Sequence, residues 1–343
     1  MEQATIIGLD LAKRVFQVHG ATADGRVAFR KKLSRGQVCW HFSRACRPCV
    51  VAMEACATAH YWAREIGALG HDIRLVPPAY VKPFVKRQKN DAADAEAIAE
   101  AASRPTMRFV EPKSPRQQAR AMTFRTRDLF VRQRTQTTNA LRAHLAEHGL
   151  IALLGLSNLA GIQRLVENSV SDLDPLVVET ARIYIEQISD LSDRVAKMEA
   201  TLKQEAARSD ASSRMMTMPG LGPITAMAIE AFAPPLSVFK RSRDFAAWLG
   251  LVPRQHSTGG KQVLGRTSKM GQRDIRRLLI IGAMSVLRWA TRKGTIPGTW
   301  LHAMLARKPR KVVAIALANK MARALWAMET RKEDYRDPRL EEA

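Results

Sequence analysis

The sequence is short of acidic side chains and of long apolar runs. Its 343 residues contain 32 Asp and Glu against 55 Lys and Arg, which gives a formal net charge of +23. The apolar stretch Leu278 to Leu287, between Arg277 and Arg288, has ten residues, whereas a membrane-spanning helix needs roughly 20. The N-terminus has no basic segment typical of a signal peptide and meets an acid within ten residues. We therefore expect a cytoplasmic, nucleoid-associated protein that binds nucleic acid and no membrane.

Cysteine is also scarce, and all four cysteines lie between residues 39 and 56. Cys46 and Cys49 form a C-x2-C pair with His41 nearby, so a zinc knuckle is conceivable. A structural zinc site takes two separated ligand pairs, and the sequence has no second C-x2-C. The pattern therefore favours reduced, partly buried thiols over zinc.

The first hundred residues predict an α/β domain with a mixed sheet, which we place at residues 1–112. Three short strands come first, with Asp24-Gly25 as a hairpin turn, and strands then alternate with helices. The predicted strands are 5–9, 15–20, 26–30, 50–53 and 72–76, and the predicted helices are 34–45, 58–69 and 91–102.

Residues 113–210 predict a basic helix followed by a coiled-coil linker. Between Lys113 and Arg142 there are eight basic residues and one acid, Asp128. A solvated helix face usually mixes signs, so this run favours a helix that follows a phosphate backbone. On a helix its arginines form near-axial stripes seven residues apart. The candidate nucleic-acid-binding residues are Arg116, Arg120, Arg125, Arg127, Arg132 and Arg134.

Apolar or small residues recur at alternating steps of four and three between residues 177 and 202, which is a heptad seam. The seam indicates a coiled-coil arm that joins two protomers, although one helix packed on its own domain has the same pattern. Its members are Val177, Ala181, Tyr184, Ile188, Leu191, Val195, Met198 and Leu202.

Residues 211–330 predict a mainly helical C-terminal domain. Two long helix patterns cover about 271–292 and 309–328, and ten basic residues against two acids lie between Lys240 and Arg277. Pro219-Gly220-Leu221-Gly222-Pro223 is similar to a helix-hairpin-helix turn, whose glycines let backbone N–H groups approach a phosphate. The charged segment 331–343 is expected to be a loose tail.

Four carboxylates are the candidates for chemistry. Asp10 ends the first apolar strand, Glu54 ends the strand 50–53, and Asp91 and Asp94 lie three residues apart on one helix. Carboxylates can hold two divalent cations about 4 Å apart, which clamp the attacking and leaving oxygens of a phosphodiester. Each acid alone is more often solvated or capping. The ordered set is harder to obtain by chance, because charges near a core are kept mainly when paired or metal-bound.

The motifs around these acids resemble those of the DEDD transposases of bacterial insertion sequences, relatives of the Piv invertase. Asp10 lies in Gly-x-Asp-x-Ala-Lys, Glu54 in Met-Glu-Ala-Cys, and the last two acids in Lys89-Asn90-Asp91-Ala92-Ala93-Asp94-Ala95. The segments that are similar to the family's transposase domain are Pro219-Gly220-Leu221-Gly222, residues 245–254, and Ser257-Thr258-Gly259-Gly260-Lys261 before Leu264-Gly265-Arg266. The resemblance covers about residues 5–328.

The resemblance implies an N-terminal RNase H-like domain, similar to the Holliday-junction resolvase RuvC, and a site-specific DNA recombinase. The four acids would bind Mg2+, two ions in all, and a serine would attack the phosphodiester to form a phosphoserine. The matching serine is Ser257, with Thr258 as the alternative position. A non-coding RNA from the same element would pair with donor and target DNA, and the protein would act as a homodimer or tetramer. Charge on phosphorus would be neutralised by basic residues near the serine, namely Arg254, Lys261, Arg266 and Lys269.

Two other functions fit parts of the pattern. A RuvC-like junction-resolving nuclease would use metal-activated water, and would need the acids but not Ser257. A structural nucleic-acid-binding protein would need neither.

Overall fold

The computed structural model describes residues 4–86, 90–152 and 159–336. The chain forms two compact units, Met1–Pro115 and Arg116–Ala343. The expected end of the first domain, residue 112, lies three residues before this division. The expected linker, 113–210, and the expected C-terminal domain, 211–330, fall almost entirely in the second unit.

The first unit is built on a five-stranded mixed sheet of order β3-β2-β1-β4-β5. The central strand β1 is antiparallel to β2 and parallel to β4, and β5 continues the parallel half. The strands are β1 (Ile6–Asp10), β2 (Val15–Ala21), β3 (Val27–Ser34), β4 (Val50–Glu54) and β5 (Asp72–Val76). All five were predicted from the sequence. This topology is compatible with an RNase H-like domain.

Helices cover both faces of the sheet. They are α1 (Val38–Trp40), which lies in a helical segment that spans residues 35–45, α2 (Ala59–Gly67), α3 (Pro78–Val81) and α4 (Asp91–Ala102). Because side chains alternate along a strand, successive residues of β1 enter different cores. Ile7 and Leu9 pack with α2 and the 35–45 segment, while Ile6 packs with α4. Whether a residue of β1 has an odd or an even number therefore determines which of the two helix layers its side chain contacts.

In the described part of the second unit, the regular structure is helical apart from one hairpin. Its helices are α5 (Pro115–Glu147), α6 (Leu159–Asn168), α7 (Pro175–Ala207), α8 (Asp210–Met216), α9 (Pro223–Phe232), α10 (Ser242–Trp248), α11 (Arg273–Lys293), α12 (Trp300–Arg307) and α13 (Arg310–Arg331). The hairpin strands are β6 (Pro253–Gln255) and β7 (Leu264–Thr267). One apolar core joins residues from α5 and from α7 to α11 with α13. None of the helices in the part of the chain that the structure describes is long and apolar enough to span a membrane.

The long helices α5 and α7 pack against each other as an antiparallel pair within one chain. Arg127 Nη2 lies 2.5 Å from Glu199 Oε1, and Arg134 Nη1 donates to Ser192 Oγ at 3.3 Å. Farther along, the rings of His144 and Tyr184 are 5.9 Å apart. Residue numbers rise along one helix as they fall along the other, which defines the antiparallel direction.

This pairing gives the heptad seam of α7 a partner inside its own chain. Ile188 is fully buried and Ala181 is nearly so, in a cluster with Leu141 and Leu145 of α5. The seam was correctly located, but its burial is explained without a second protomer. The alternative in which the helix packs on its own domain therefore accounts for the pattern, and the seam carries no evidence for a dimer.

One largely enclosed acid, Glu230 of α9, joins α5 to the helical core. Arg120 forms an ion pair with Glu230 of α9, which also accepts hydrogen bonds from Ser209 Oγ at 2.6 Å and Ser212 Oγ at 2.5 Å. A carboxylate this enclosed needs these donors, since an unpaired buried charge is costly.

The start of the expected loose tail folds back onto the helical core. After α13, Lys332 takes a left-handed conformation with φ of 60°, and the backbone N–H of Tyr335 donates to Thr217 Oγ1 at 2.8 Å. The Tyr335 ring packs against the core. The expectation of a loose tail is therefore wrong for residues 332–336, and residues 337–343 lie outside the described residues.

Candidate active site

Asp10 and Glu54 end neighbouring parallel strands at the same edge of the sheet. β1 and β4 pair with Leu9 opposite Met53, so the next residue on each strand is one of the two acids. The alternation of side chains directs both acids to the face that α4 covers, because Ala52 two residues before Glu54 packs with that helix. The sheet register therefore brings these two carboxylates to one place.

Gly8 lets α4 approach β1 closely enough to bring in the other two acids. A Cβ at Gly8 would lie 2.0 Å from Ala95 O and 2.8 Å from Ala99 N, so only glycine fits. The helix begins at Asp91, with the Asn90 side chain accepting from Ala92 N–H at 3.0 Å as N-cap. Its first turn holds Asp91 and Asp94, where the helix dipole favours negative charge.

The structure brings three of the four predicted acids into one group. Ligand oxygens of Asp10, Asp91 and Asp94 all lie within 4.8 Å of one another. Glu54 is outside this group but close enough to act on it electrostatically. Its own pKa is raised by burial and by the charge of Asp94, and it contributes to the raised pKa of Asp10.

Asp10 is the most perturbed of these acids. Burial, which is the largest cause, and the charges of Asp94, Asp91 and Glu54 together raise its pKa to about 6. A carboxylate that is half-buried among three others needs a cation or a proton nearby. Within the ranges 4–86, 90–152 and 159–336, no lysine or arginine forms an ion pair with any of the four acids.

These observations fit a divalent metal site. The donors are carboxylate oxygens, which hard cations such as Mg2+ prefer, and their mutual repulsion is uncompensated by the described side chains. Asp10, Asp91 and Asp94 would hold the ion, with Glu54 beside them. Glu96, on the same helix, is separate from this group and pairs with Arg30 at 2.7 Å and Lys86 at 2.6 Å. Lys89 of the motif lies outside the described residues.

Ser257 lies near the tip of the exposed hairpin β6–β7. The turn is Gly259-Gly260, with φ of 56° and 78°, between paired Thr258 and Lys261. Positive φ at both central residues is typical of a type I′ turn, which glycine allows at little cost. The segment Ser257-Thr258-Gly259-Gly260-Lys261 that carries the resemblance thus forms the end of a hairpin.

The hydroxyl of Ser257 has a defined partner. Gln255 Nε2 donates to Ser257 Oγ at 3.0 Å, so the hydroxyl proton is not used in that bond. His256 points elsewhere, since a Cβ on Gly265 would lie 2.9 Å from its Cδ2 and Nε2. The imidazole therefore covers Gly265 of β7, as expected for neighbouring side chains that diverge.

Exposed cations lie along the hairpin that carries this hydroxyl and at the base of the hairpin. Arg254, Lys261, Arg266 and Lys269 are all exposed, and none forms an ion pair with a described acid. Arg254 Nη2 makes one long hydrogen bond, 3.4 Å, to Ser268 O. These four side chains are available to bind phosphate.

The base of the hairpin packs closely against the helical core through backbone contacts and hydrogen bonds. A Cβ at Gly250 would lie 1.9 Å from Met270 O, and one at Gly271 would lie 1.9 Å from Trp248 O. Arg276 Nη1 donates to Leu249 O at 2.9 Å and to Met270 O at 3.1 Å. Arg276 was not among the residues predicted from the sequence, although it lies in the first turn of α11, just after Met270-Gly271.

The predicted arginine stripes of α5 divide into two groups. Arg120, Arg127 and Arg134 face inward to Glu230, Glu199 and Ser192. They are occupied by partners of their own chain, so we leave them out of the nucleic-acid surface. The other three arginines also lie near acids of the chain, with Arg116 3.5 Å from Glu205, Arg125 3.0 Å from Asp274 and Arg132 3.8 Å from Asp128. Their side chains nevertheless stay largely in solvent, with exposed fractions of 67%, 59% and 69% in the same order.

The glycine turn before α9 serves helix packing. Gly220 has φ of 83°, and a Cβ there would lie 2.7 Å from Gly282 O of α11. In return, a Cβ at Gly282 would lie 2.0 Å from Gly220 O. The two glycines thus let the backbones of the turn and of α11 come into contact. From the sequence, we expected the glycines of this turn to let backbone N–H groups approach a phosphate instead.

The cysteines form two thiol–imidazole pairs. Cys46 Sγ lies 3.3 Å from His41 Nε2, and Cys49 Sγ lies 3.5 Å from His71 Nδ1. All four cysteines are free, and burial raises the pKa of both paired thiols, that of Cys49 to about 11. Among the described residues, the acid group is the one set of three or more that could hold a metal.

Comparison with known proteins finds matches for the region that contains the acids and for the region that contains Ser257. Residues 7–149 match a transposase family model named for DEDD transposases of IS110, and residues 212–295 match the transposase IS116/IS110/IS902 family. A probable family 20 transposase of Pseudomonas aeruginosa is 47% identical over 96% of this chain and 98% of its own length. The chain belongs to the IS110 family of transposases.

Two further relatives support this assignment at greater distance. The transposase of insertion sequence IS1328 from Yersinia enterocolitica is 39% identical over 96% of this chain and 98% of its own length. The transposase of IS1111A from Coxiella burnetii is 36% identical over 98% of this chain and 92% of its own length. This transposase is therefore an enzyme that cuts and rejoins DNA, and its family suggests the use of a divalent metal. The first matched region contains the four acids and the second contains Ser257.

Proposed function

We propose that this transposase is a Mg2+-dependent DNA recombinase that forms a covalent phosphoserine through Ser257 and is guided by a non-coding RNA. The observation that carries the proposal is the group of Asp10, Asp91 and Asp94, whose ligand oxygens lie within 4.8 Å. An RNase H-like fold for the first unit belongs to the same proposal and is supported by the sheet order.

The acids supply the metal site in this account. Mg2+ bound there would stabilise charge on the phosphate oxygens during displacement. Asp10 must be deprotonated to bind the ion, so its raised pKa couples metal binding to pH. The Gly8–Ala95 contact keeps α4, and with it Asp91 and Asp94, against the end of β1.

Ser257 supplies the nucleophile. Its oxygen forms a bond to phosphorus while the bond from phosphorus to one deoxyribose oxygen breaks, and that oxygen leaves as a hydroxyl after taking up a proton. The serine proton is released to a base or to solvent, since Gln255 acts as donor to Ser257 and cannot accept it. Arg254, Lys261 and Arg266 would neutralise the phosphate. Thr258, one residue farther along, is the alternative position.

The strand joining reverses this step, because a deoxyribose hydroxyl attacks the phosphoserine and releases Ser257. Donor and target DNA are the substrates, and pairing with the guide RNA would set the sequence that is cut. In the proposed homodimer or tetramer, the acids of one subunit act with the serine of another. The protein would then work beside DNA in the cytoplasm, with exposed Arg116, Arg125 and Arg132 contacting nucleic-acid backbone.

A second candidate is a RuvC-like nuclease that uses metal-activated water. It is favoured by the acid group alone and makes no use of Ser257. The two functions differ in whether the cut strand stays attached to protein.

The test is to incubate the protein, the RNA that flanks its gene and labelled donor and target DNA with Mg2+, and to look for a protein–DNA adduct in denaturing gels. We expect an adduct in the wild type that is lost in Ser257→Ala and Asp10→Ala. Thr258→Val is the matched control and should retain the adduct. Cleavage that forms no adduct and that persists in Ser257→Ala would favour the nuclease. An adduct that is lost only in Thr258→Val would identify Thr258 as the nucleophile. Omission of RNA tests the guide in the same assay.

A further inference from the structure

A large groove in the helical unit contains none of the four acids and none of the hairpin residues used for the proposed function. Its volume is about 1660 Å3, and it is lined by the second half of α11, the loop 294–299, the start of α12, the second half of α13 and the segment after it. Small-molecule sites are typically about 300–1,000 Å3. The groove is therefore large enough for a segment of polymer.

Two tryptophans with cations beside them line this groove. Trp289 of α11 is 59% exposed, and Lys293 Nζ lies 5.5 Å from its ring centroid. Trp300 of α12 has Lys320 Nζ at 4.5 Å from its ring centroid. An indole left this exposed on a monomer offers a flat apolar face that a partner can cover.

The charge of the groove points to an anionic partner. Its lining includes the cations Lys293, Lys320, Arg331 and Arg336, against two acids, Glu333 and Asp334. Exposed aromatic faces combined with cations are the pattern on which unpaired bases stack while phosphates bind nearby. A paired duplex hides its base faces, so it would leave Trp289 uncovered.

We propose that this groove binds single-stranded DNA, with a base stacked on Trp289 and the backbone contacting Lys293 and Lys320. DNA is the substrate of the family to which the chain belongs, and strand cutting exposes unpaired ends. The proposal rests on that membership and is independent of the serine, the metal and the guide RNA.

The experiment measures binding of a fluorescent oligo(dT) of about 16 nucleotides, a length within the usual range for such sites, by full-length protein without divalent metal. Trp289→Ala should weaken binding roughly 5- to 150-fold, which is the usual range for loss of one base stack. The matched control is Trp40→Ala, because Trp40 is 60% exposed and lies in the first unit. It should change affinity by less than about twofold.

An abasic oligonucleotide of equal length separates stacking from charge. It should bind the wild type more weakly, and Trp289→Ala should then make no further difference. Lys320→Gln should reduce the slope of log affinity against log salt for oligo(dT) by about 0.7. The matched control is Lys311→Gln, which removes the same charge from α13 outside the groove.

Three outcomes would overturn the proposal. The first is unchanged oligo(dT) affinity in Trp289→Ala, and the second is an equal loss with the abasic strand. The third is an oligo(U) that binds more tightly and with greater dependence on Trp289, which would assign the groove to RNA. Loss of the covalent adduct in Ser257→Ala bears on the proposed function alone, since that variant should bind oligo(dT) as the wild type does.

Discussion

Gly8 of β1 lies directly under Ala95 of α4, so close that a Cβ on the glycine would be 2.0 Å from the Ala95 carbonyl oxygen. This contact joins the strand that ends in Asp10 to the helix that begins with Asp91 and Asp94. The geometry of the acid group therefore depends on a residue with no side chain.

Gly8→Ala should separate the acids without removing any of them. The added methyl group must push α4 away from β1, and overpacking of this kind costs about 1–3 kcal/mol of stability. A displacement of about 1 Å can reduce catalysis roughly 100-fold. We expect that loss in Mg2+-dependent cleavage, measured in parallel with thermal unfolding. Gly36→Ala is the matched control, because a Cβ there meets nothing within 4 Å. Full activity in Gly8→Ala would show that the close approach is not needed.

Metal affinity should rise with pH through the titration of Asp10. Burial and the neighbouring acids raise its pKa to about 6, so the proton must leave before the cation binds. Binding of Mn2+ as a Mg2+ substitute, followed by calorimetry, should weaken about tenfold between pH 7 and pH 5. In buffers of different ionisation enthalpy, proton release should accompany binding at pH 5 and vanish at pH 8. A pH-independent affinity would contradict this account of Asp10.

Asp10→Asn should stabilise the metal-free protein at neutral pH. A pKa raised from 3.8 to about 6 on folding means that the folded protein loses stability as pH rises through that window. The amide removes this loss, so the melting temperature of the metal-free variant should exceed that of the wild type at pH 7.5 and approach it at pH 4. The increase that Mg2+ gives the wild type should disappear. Glu111→Gln, at an exposed acid of the same unit, should show neither effect.

Arg127 and Arg132, five residues apart on α5, should behave differently. Arg127 is held by Glu199, so Arg127→Gln should lower the melting temperature while leaving the salt dependence of DNA binding unchanged. Arg132 is 69% exposed, and Arg132→Gln should reduce the slope of log affinity against log salt by about 0.9, with little effect on stability. The reverse pattern would indicate that Arg127, and not Arg132, contacts nucleic acid.

Arg276→Ala should uncouple DNA binding from cleavage. Its guanidinium ties Leu249 O to Met270 O at the base of the hairpin that presents Ser257. Without it we expect adduct formation to fall at least about tenfold, because small displacements of a reacting group are costly, while duplex affinity changes less than about twofold. Arg273→Ala removes an exposed charge from the same helix turn and should affect adduct formation far less. Equal effects of the two variants would mean that adduct formation depends on positive charge at this place and not on the hydrogen bonds of Arg276 to Leu249 O and Met270 O.

The sequence was sufficient for the strands of the sheet and for the places of the acids along the chain, because both follow from local patterns. Strand alternation and the Asn90 cap locate Asp10, Glu54 and the start of α4. The hairpin β6–β7 was missed because its strands are three and four residues long and mostly exposed. It is held by Gly259-Gly260 and by backbone contacts to Trp248 and Met270, which no periodicity shows.

Long-range partners account for the other differences. An arginine stripe has the same spacing whether it faces phosphate or carboxylate, and the acids that pair with α5 lie some 70 to 110 residues away. The heptad seam of α7 likewise has the same pattern with a partner inside or outside the chain. Glu199 and Glu205 on α7 could have indicated this pairing from the sequence, since acids on one long helix can form ion pairs with the arginines of another.

The central proposal is that Asp10, Asp91 and Asp94 hold a divalent metal ion, with Glu54 beside them. It is tested most directly by loading the protein with Fe2+ in place of Mg2+, adding ascorbate and peroxide, and mapping the backbone cuts by mass spectrometry. Hydroxyl radicals act close to the iron, so cuts should fall near residues 8–12, 52–56 and 90–95, and excess Mg2+ or Asp10→Asn should suppress them. Cuts confined to other segments, or cuts that persist in Asp10→Asn, would contradict the account.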